Sequence, residues 1–116
     1  MLTNILKSKI HRAKVTETEL EYVGSITIDE TLAKQAKLVP GEKVLIANLR
    51  NGERFETYVI YGEKNSGIIC INGAAAHLCE MDDQVIIMSF VWLDNKELES
   101  WDPVIVHVNK ENKIIK

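Results

Sequence analysis

Little in this chain serves a specialised architecture. It holds two cysteines, two prolines, six glycines and only 6% aromatic residues. Cys70 and Cys79 stand without a secretion signal, so they read as small buried residues of a reducing compartment rather than a disulfide framework. Basic residues are the minority, 14 against 17 acidic ones, for a net charge of −3. That balance disfavours nucleic acid as a partner, because such binding needs a basic face. The longest apolar run, Val85 to Leu93, is broken by Ser89 and falls far short of a bilayer span, so no membrane contact is expected. At the start, apolar residues alternate with Lys7, Lys9, His11 and Arg12, and no signal-peptide core is expected there. The expected location is the cytoplasm. The sparse glycines and prolines form no low-complexity linker, and no internal repeat is visible. What is left is a soluble globular chain, 46% hydrophobic and 27% charged, whose length fills a single domain over residues 1–116.

Strand-like alternation runs through residues 8–16. Counting by two puts Lys9, His11, Ala13 and Val15 on one face, where the lysine and histidine share two small apolar neighbours. A solvated edge strand marked by lysine accounts for the same pattern. Residues 16–20 read as a polar turn and Ile26-Thr27-Ile28 as a short strand. Asp29 is a good N-cap for a helix over residues 30–37, with Leu32, Ala33 and Ala36 as its buried stripe. Pro40-Gly41 marks a turn. Residues 43–48 and 53–60 read as strands joined at Asn51-Gly52, the strongest short hairpin signal, since a type I′ turn needs positive φ at both central residues. On the second of these strands Arg54, Glu56, Tyr58 and Ile60 share one face, while Phe55, Thr57 and Val59 take the other. Arg54 and Tyr58 stand about 13 Å apart along an extended backbone, so their long side chains can converge on one small ligand. Residues 68–71 make a further short strand, and 84–93 the most hydrophobic one, crossing the core. A helical or irregular cap over 94–101, a last strand over 103–108 and a polar tail complete the chain. Trp92 and Trp101 read as packing residues. Many short strands with two or three brief helices predict a mainly-β barrel. A small barrel is filled by its own side chains, which puts an active site at the rim or between subunits.

Two stretches carry chemistry. In Tyr22-Val23-Gly24-Ser25-Ile26, glycine leaves its carbonyl uncrowded and tolerates unusual backbone angles, and a strained turn would aim the serine hydroxyl back at that carbonyl. Attack there turns the amide into an ester, and elimination then frees Gly24 as a carboxylate. The dehydroalanine left behind loses ammonia to give a pyruvoyl cap on residue 25. An ordinary Gly-Ser turn is the plainer account of that pair taken alone. In Asn72-Gly73-Ala74-Ala75-Ala76-His77, small side chains let backbone amides approach a ligand, and a helix start would add outward N–H groups. An Ala-rich helical turn chosen for propensity reads equally well. His77 and Cys79 lack a second pair of ligands at a site-forming spacing, so no metal site is assigned.

With Lys9-Ile10-His11-Arg12, Tyr22-Val23-Gly24-Ser25, residues 51–58 (Asn-Gly-Glu-Arg-Phe-Glu-Thr-Tyr) and Asn72 to His77 all in view, the chain resembles the aspartate 1-decarboxylase family, small pyruvoyl-dependent enzymes of the pantothenate pathway. The match runs without a gap to about residue 108, and its motifs are specific in combination. The resemblance implies a double-psi β-barrel assembled as a homotetramer with active sites between subunits. It implies self-cleavage at Gly24-Ser25 into a short chain, 1–24, and a pyruvoyl-capped chain, 25–116. The implied cofactor is that covalent pyruvoyl group from Ser25, with neither metal nor pyridoxal phosphate. The implied reaction converts L-aspartate to β-alanine and CO2, through an imine on the pyruvoyl ketone, supplying pantothenate and hence coenzyme A synthesis. Whether cleavage is spontaneous or needs a maturation factor stays open. Position 47, aromatic in some members, is Ala47 here, which would loosen packing near the site.

On this resemblance Ser25 is the catalytic pyruvoyl source and Tyr58 the proton donor. Arg54 suits a substrate carboxylate because its planar fork pairs bidentately, and Lys9 adds a second positive charge. Thr57, Asn72, Gly73, Ala74 and Ala75 complete the substrate contacts, with the Thr57 hydroxyl also able to polarise the Gly24 carbonyl during cleavage. His11 and Tyr22 support the site. Three other readings compete. A binding module with Gly24-Ser25 as a plain turn predicts one intact chain and no ammonia release. A different pyruvoyl enzyme could act on another amino acid, but Arg54 with Lys9 argues for an acidic substrate, since a basic one would want carboxylates converging on the site. A swapped-hairpin DNA-binding barrel is disfavoured by the acidic balance.

Overall fold

Period-two burial organises the chain into strands whose inner residues are branched and aliphatic. The computed structural model describes residues 1–115. Its elements are β1 (Thr3–Lys14), β2 (Glu17–Glu19), β3 (Ser25–Asp29), α1 (Glu30–Gln35), β4 (Lys43–Asn48), β5 (Arg54–Gly62), β6 (Ile69–Asn72), a 3-10 turn (Gly73–Leu78), β7 (Gln84–Leu93), α2 (Asn95–Leu98), β8 (Val104–Val108) and β9 (Ile114–Ile115). The strands follow one another in the order β2-β6-β3-β5-β4-β7-β1-β8-β9. Three of the pairings, β1 with β8, β2 with β6 and β3 with β5, are parallel. This is the mainly-β barrel the strand pattern predicts.

Registers turn the alternation into rows. Ile10 lies beside Ile87, Ile87 beside Ile46, and Ile46 beside Phe55. The three isoleucines are essentially sealed from water, together with Ile26, Ile28, Val59, Ile69 and Ile71 from the other half of the sheet. Fully burying one such side chain contributes about 2 kcal/mol, against roughly 0–1 kcal/mol for an exposed ion pair such as Lys43–Glu56. The isoleucine rows hold the barrel.

Several local expectations need correction. β1 begins five residues earlier than the alternation in 8–16 suggests. Its Arg12 sits at φ 62°, and the pairing with β7 slips between Ile10 and Ala13. That bulge adds one residue and shifts the alternation. Ser8 and Ile10 point inward before it, Ala13 and Val15 after it, while Lys9 and His11 stay on the outer face. The shared face of Lys9, His11, Ala13 and Val15 does not exist. The predicted polar turn over 16–20 contains β2, and the helix over 30–37 closes at Gln35, although Leu32, Ala33 and Ala36 are buried as expected. The hairpin at Asn51-Gly52 is not a two-residue type I′ turn. Only Gly52 has positive φ, at 74°, and its N–H donates to the Asn48 carbonyl at 2.9 Å, closing a four-residue loop. Trp92 is 63% exposed and does not pack within the chain, while Trp101 keeps partial cover and donates its indole N–H to the Leu6 carbonyl at 2.9 Å.

Two buried side chains tie loops to the barrel. Asp29 caps α1 through the Thr31 N–H and also accepts from the Asn65 and Gly67 amides, all at 2.9 Å. Asn112 donates to the Lys14 and Gly67 carbonyls at 2.8 Å, which anchors the polar tail beside β1. Cys70 and Cys79 are buried free thiols.

Asp83 gathers the loop ends at the far side. It accepts from Arg50 Nε at 2.7 Å, from Asn48 Nδ2 at 2.8 Å and from the Glu80 N–H at 2.8 Å. The Arg50 bond above all, helped by those from Asn48 and Glu80 and opposed by desolvation, holds its carboxyl down at about 2 against 3.8 ordinarily. A depressed carboxylate stabilises the fold above its unfolded pKa, and the stabilisation is lost as pH falls through the folded value. Unfolding free energy is therefore expected to decline by roughly 2 kcal/mol from this group between pH 4 and pH 2. Denaturant titrations of wild type and Asp83→Asn across that window check it: the variant is expected to be less stable at pH 6 and to lose this part of the slope.

Candidate active site

The Gly24–Ser25 peptide bond marks a sharp step in exposure. Tyr22 and Val23 are 55% and 70% exposed, and Ser25 is 1% exposed. The step arises because Ser25 opens β3, a strand held on both sides. Its antiparallel neighbour is β6, with Ser25 opposite Asn72 and Thr27 opposite Cys70. Its parallel neighbour is β5, with Ile26 beside Val59. Continued two residues back, the β3–β5 register sets Ser25 level with Tyr58 and Gly24 level with Thr57.

Within this frame the Ser25 hydroxyl makes one hydrogen bond as donor and one as acceptor. It donates to the Val23 carbonyl at 3.0 Å and accepts from Asn72 Nδ2 at 3.0 Å. The expected aim at the Gly24 carbonyl is therefore off by one residue in this state. Nor does Gly24 adopt a left-handed conformation, and a Cβ there would meet nothing within 4 Å. The demanding glycine is Gly73. It has φ of +74°, and a Cβ on it would lie 2.7 Å from Gly24 Cα and 2.9 Å from Gly24 N. Only a bare glycine allows the start of the 3-10 turn to rest on the Gly24 backbone.

The Asn72 amide does more than reach Ser25. The same Nδ2 donates to Thr27 Oγ1 at 3.0 Å, while Cys70 Sγ donates to Asn72 Oδ1 at 3.1 Å. Thr27 and Cys70 were not among the sequence candidates. Their signal was present as positions two residues from Ser25 and from Asn72 on adjacent strands, but it becomes readable only once the register is known.

Lys9, Arg54 and Tyr58 lie on the outer face of the sheet. Lys9 is beside Met88, Met88 beside Leu45, and Leu45 beside Glu56. The next row holds Ile86, Ala47 and Arg54. Tyr58, 38% exposed, pairs with Lys43 on the same strands. Thr57 points to the inner side with Phe55 and Val59, as the alternation predicts. Among the described residues neither Lys9 nor Arg54 forms an ion pair, and neither do Arg12, Lys37, Lys96, Lys110 and Lys113. Lys9 and His11 belong to β1, four places along the sheet from β3. One chain thus brings together Gly24, Ser25, Asn72 and Gly73, sets Thr57 and Tyr58 beside them, and leaves Lys9 and His11 apart. His11 instead meets His107 edge to face at 5.6 Å between ring centres. Desolvation first, then the charges of Lys9, His107 and Arg12, lower its pKa. Among the described residues no group of three or more His, Cys, Asp or Glu side chains comes together to hold a metal.

Comparison with known proteins matches residues 1–115 to the family model described as aspartate decarboxylase. The aspartate 1-decarboxylase of Caldicellulosiruptor saccharolyticus is 57% identical over 116 residues, covering all of this chain and 91% of that protein. The aspartate 1-decarboxylase of Cytophaga hutchinsonii is 50% identical over 115 residues, 99% of this chain and all of that one. Among solved structures, the rationally designed protein mkDPBB_sym_86 superposes with a TM-score of 0.50 at 16% identity, over 70% of this chain and 94% of the other. That likeness identifies the fold as a double-psi β-barrel.

The contact between Gly73 and Gly24 makes a direct prediction. Gly73→Ala places a methyl group inside the Gly24 backbone at a φ that alanine resists, and is expected to lower stability by more than about 1 kcal/mol. Thermal unfolding checks it, with Gly24→Ala, which meets open space, expected to stay close to wild type.

Proposed function

The chain belongs to the aspartate decarboxylase family, and on that premise we propose that it acts by cutting itself at Gly24–Ser25 and converting Ser25 into a pyruvoyl group. It is a carboxy-lyase by membership, and aspartate is the family's substrate. The single observation that carries the proposal is the Ser25 hydroxyl, buried beside an exposed Gly24, with one hydrogen-bond donor and one acceptor already in place.

For cleavage, Ser25 Oγ exchanges its bond to Val23 for attack on the Gly24 carbonyl carbon. Its proton passes to the Ser25 nitrogen as the C–N bond breaks and an ester forms. Removal of the Ser25 α-proton then breaks the Cβ–Oγ bond and releases Gly24 as a carboxylate. The dehydroalanine left on residue 25 takes up one water and loses one ammonia, which leaves a ketone. In this scheme the Thr57 hydroxyl, on β5 beside β3, is assigned the polarisation of the Gly24 carbonyl under attack. The fold supports survival of the cut: the short chain stays bound through β1, paired with β7 and β8, and through β2, paired with β6.

A pyruvoyl group at residue 25 would sit beside the Asn72 side-chain N–H groups, which face the Ser25 side chain, and beside the bare Gly73, whose backbone packs on Gly24. Such a group supplies a ketone that takes the substrate amine and draws electrons from the departing carboxylate. The protein must then bind a dianion and return a proton. Arg54, which forms no ion pair among the described residues, takes one carboxylate, and Lys9 supplies the second charge. Asn72, Gly73, Ala74 and Ala75 form the cradle, Tyr58 delivers the proton, and Tyr22 and His11 line the approach.

Lys9 lies too far along the sheet to serve the Ser25 of its own chain, which supports a homotetramer whose sites are completed between copies. Exposed Tyr22, Val23, Phe90 and Trp92 are apolar surface that such contacts would cover. The product β-alanine would feed pantothenate synthesis in the cytoplasm.

Intact mass under denaturing conditions tests the cleavage. Two species are expected: residues 1–24, and residues 25–116 lighter by one ammonia than hydrolysis alone gives. Ser25→Ala is expected to stay whole and inactive, and a cut Ser25→Ala chain would falsify the mechanism. Tyr58→Phe is expected to cut normally while losing at least about tenfold in kcat, consistent with the usual worth of a positioned acid. Arg54→Lys is expected to raise KM by about tenfold in the aspartate assay, through loss of the bidentate fork.

A further inference from the structure

We propose that Cys70 and Thr27 are positioning residues that hold the Asn72 amide in the one orientation that prepares the Ser25 hydroxyl for attack. This role rests on the reading of Ser25 as the nucleophile of self-cleavage.

The four side chains form a square on two adjacent antiparallel strands. Ser25 stands opposite Asn72, and Thr27 opposite Cys70. Steps of two residues along each strand put all four on the same side of the sheet. Ser25, Asn72 and Cys70 are 1%, 2% and 4% exposed, so water does not compete for their bonds. Within the square the amide has an unambiguous assignment. Its nitrogen serves Ser25 Oγ and Thr27 Oγ1, both at 3.0 Å, and its oxygen accepts from the Cys70 thiol at 3.1 Å.

The opposite orientation has different consequences for Ser25. With Asn72 Oδ1 facing the hydroxyls, the Ser25 proton is drawn to the amide and leaves the Val23 carbonyl. The N–H groups then face sulfur, a weak acceptor, inside the protein. Burial first, then the charges of Glu17 and Glu19, push the Cys70 thiol up to about 11, so it keeps its proton and its donor role at neutral pH. Thr27 offers its hydroxyl oxygen to the second N–H. In the observed orientation, Asn72 donates to Ser25 Oγ and stabilises negative charge as the serine proton leaves. A lone pair on that oxygen stays free for the Gly24 carbonyl, because one is used by Asn72 and the proton points to Val23. The thiol acts through the amide and never touches the scissile bond.

The test measures the fraction of chain cut over time after a short induction, by denaturing mass, for wild type and four variants. Cys70→Ala removes the donor and Thr27→Val the acceptor at nearly constant volume. Each is expected to slow cutting by about fivefold or more, the worth of one hydrogen bond in the transition state. Cys70→Ser and Thr27→Ser restore the group and are expected to cut at close to the wild-type rate. A purely structural role predicts that the rate follows the thermal midpoint and not the donor or acceptor. Cys70→Ser as slow as Cys70→Ala, or all four variants at the wild-type rate, overturns the proposal. If Cys70→Ala does not fold, the Thr27→Val and Thr27→Ser pair decides by the same criterion. A wild-type chain that never cuts overturns the cleavage reading itself, and the positioning role with it.

Discussion

The site depends on one antiparallel ladder, between β3 and β6. Its register sets Ser25 opposite Asn72 and carries the chain from Asn72 directly into Gly73, whose left-handed backbone lies against Gly24. A slip of one residue would turn every side chain on β3 to the other face, burying Thr27 in place of Ile26 and presenting Ser25 to the wrong partner. Ile26, Ile28, Ile69 and Ile71, all sealed in the core, make that slip costly. The hydrophobic pattern of two short strands therefore holds the Ser25 hydroxyl within 3.0 Å of both a donor and an acceptor.

A second constraint is the Arg12 bulge in β1. Without it, Lys9 and His11 would lie on the same side as Ala13 and Val15, and one set or the other would be buried wrongly. The extra residue lets a single strand keep Ile10 and Val15 both inside while Lys9 faces outward beside Met88. Lys9 and Arg54 end on outer rows and, like Arg12, Lys37, Lys96, Lys110 and Lys113, form no ion pair among the described residues.

The interior and the site use different physics. Stability comes from rows of branched aliphatic residues and from buried caps such as Asp29 and Asn112, each with several backbone partners. The site uses few, specific hydrogen bonds among Ser25, Thr27, Cys70 and Asn72, where losing one partner changes the orientation of the next. Such networks tolerate little substitution, because each buried polar group left without a partner costs more than the bond itself contributes.

Much of this was written locally. The strands over 43–48 and 84–93, the Asp29 cap, the inner and outer faces of residues 54–59 and the apolar stripe of α1 follow from periodicity and capping, which depend on neighbours a few residues away. The Gly24-Ser25 pair and the motifs of the family are likewise legible without coordinates, because each is a short contiguous string. The rest was decided by contacts between distant segments. The slip at Arg12 depends on how β1 meets β7, and so does the outward turn of Trp92, which the sequence suggests as a packing residue. The need for glycine passed from residue 24 to residue 73 because it is set by backbone approach across 49 residues. Thr27 and Cys70 joined the site for the same reason. Their chemistry is ordinary in sequence, and only the register of β3 on β6 makes them neighbours of the same amide.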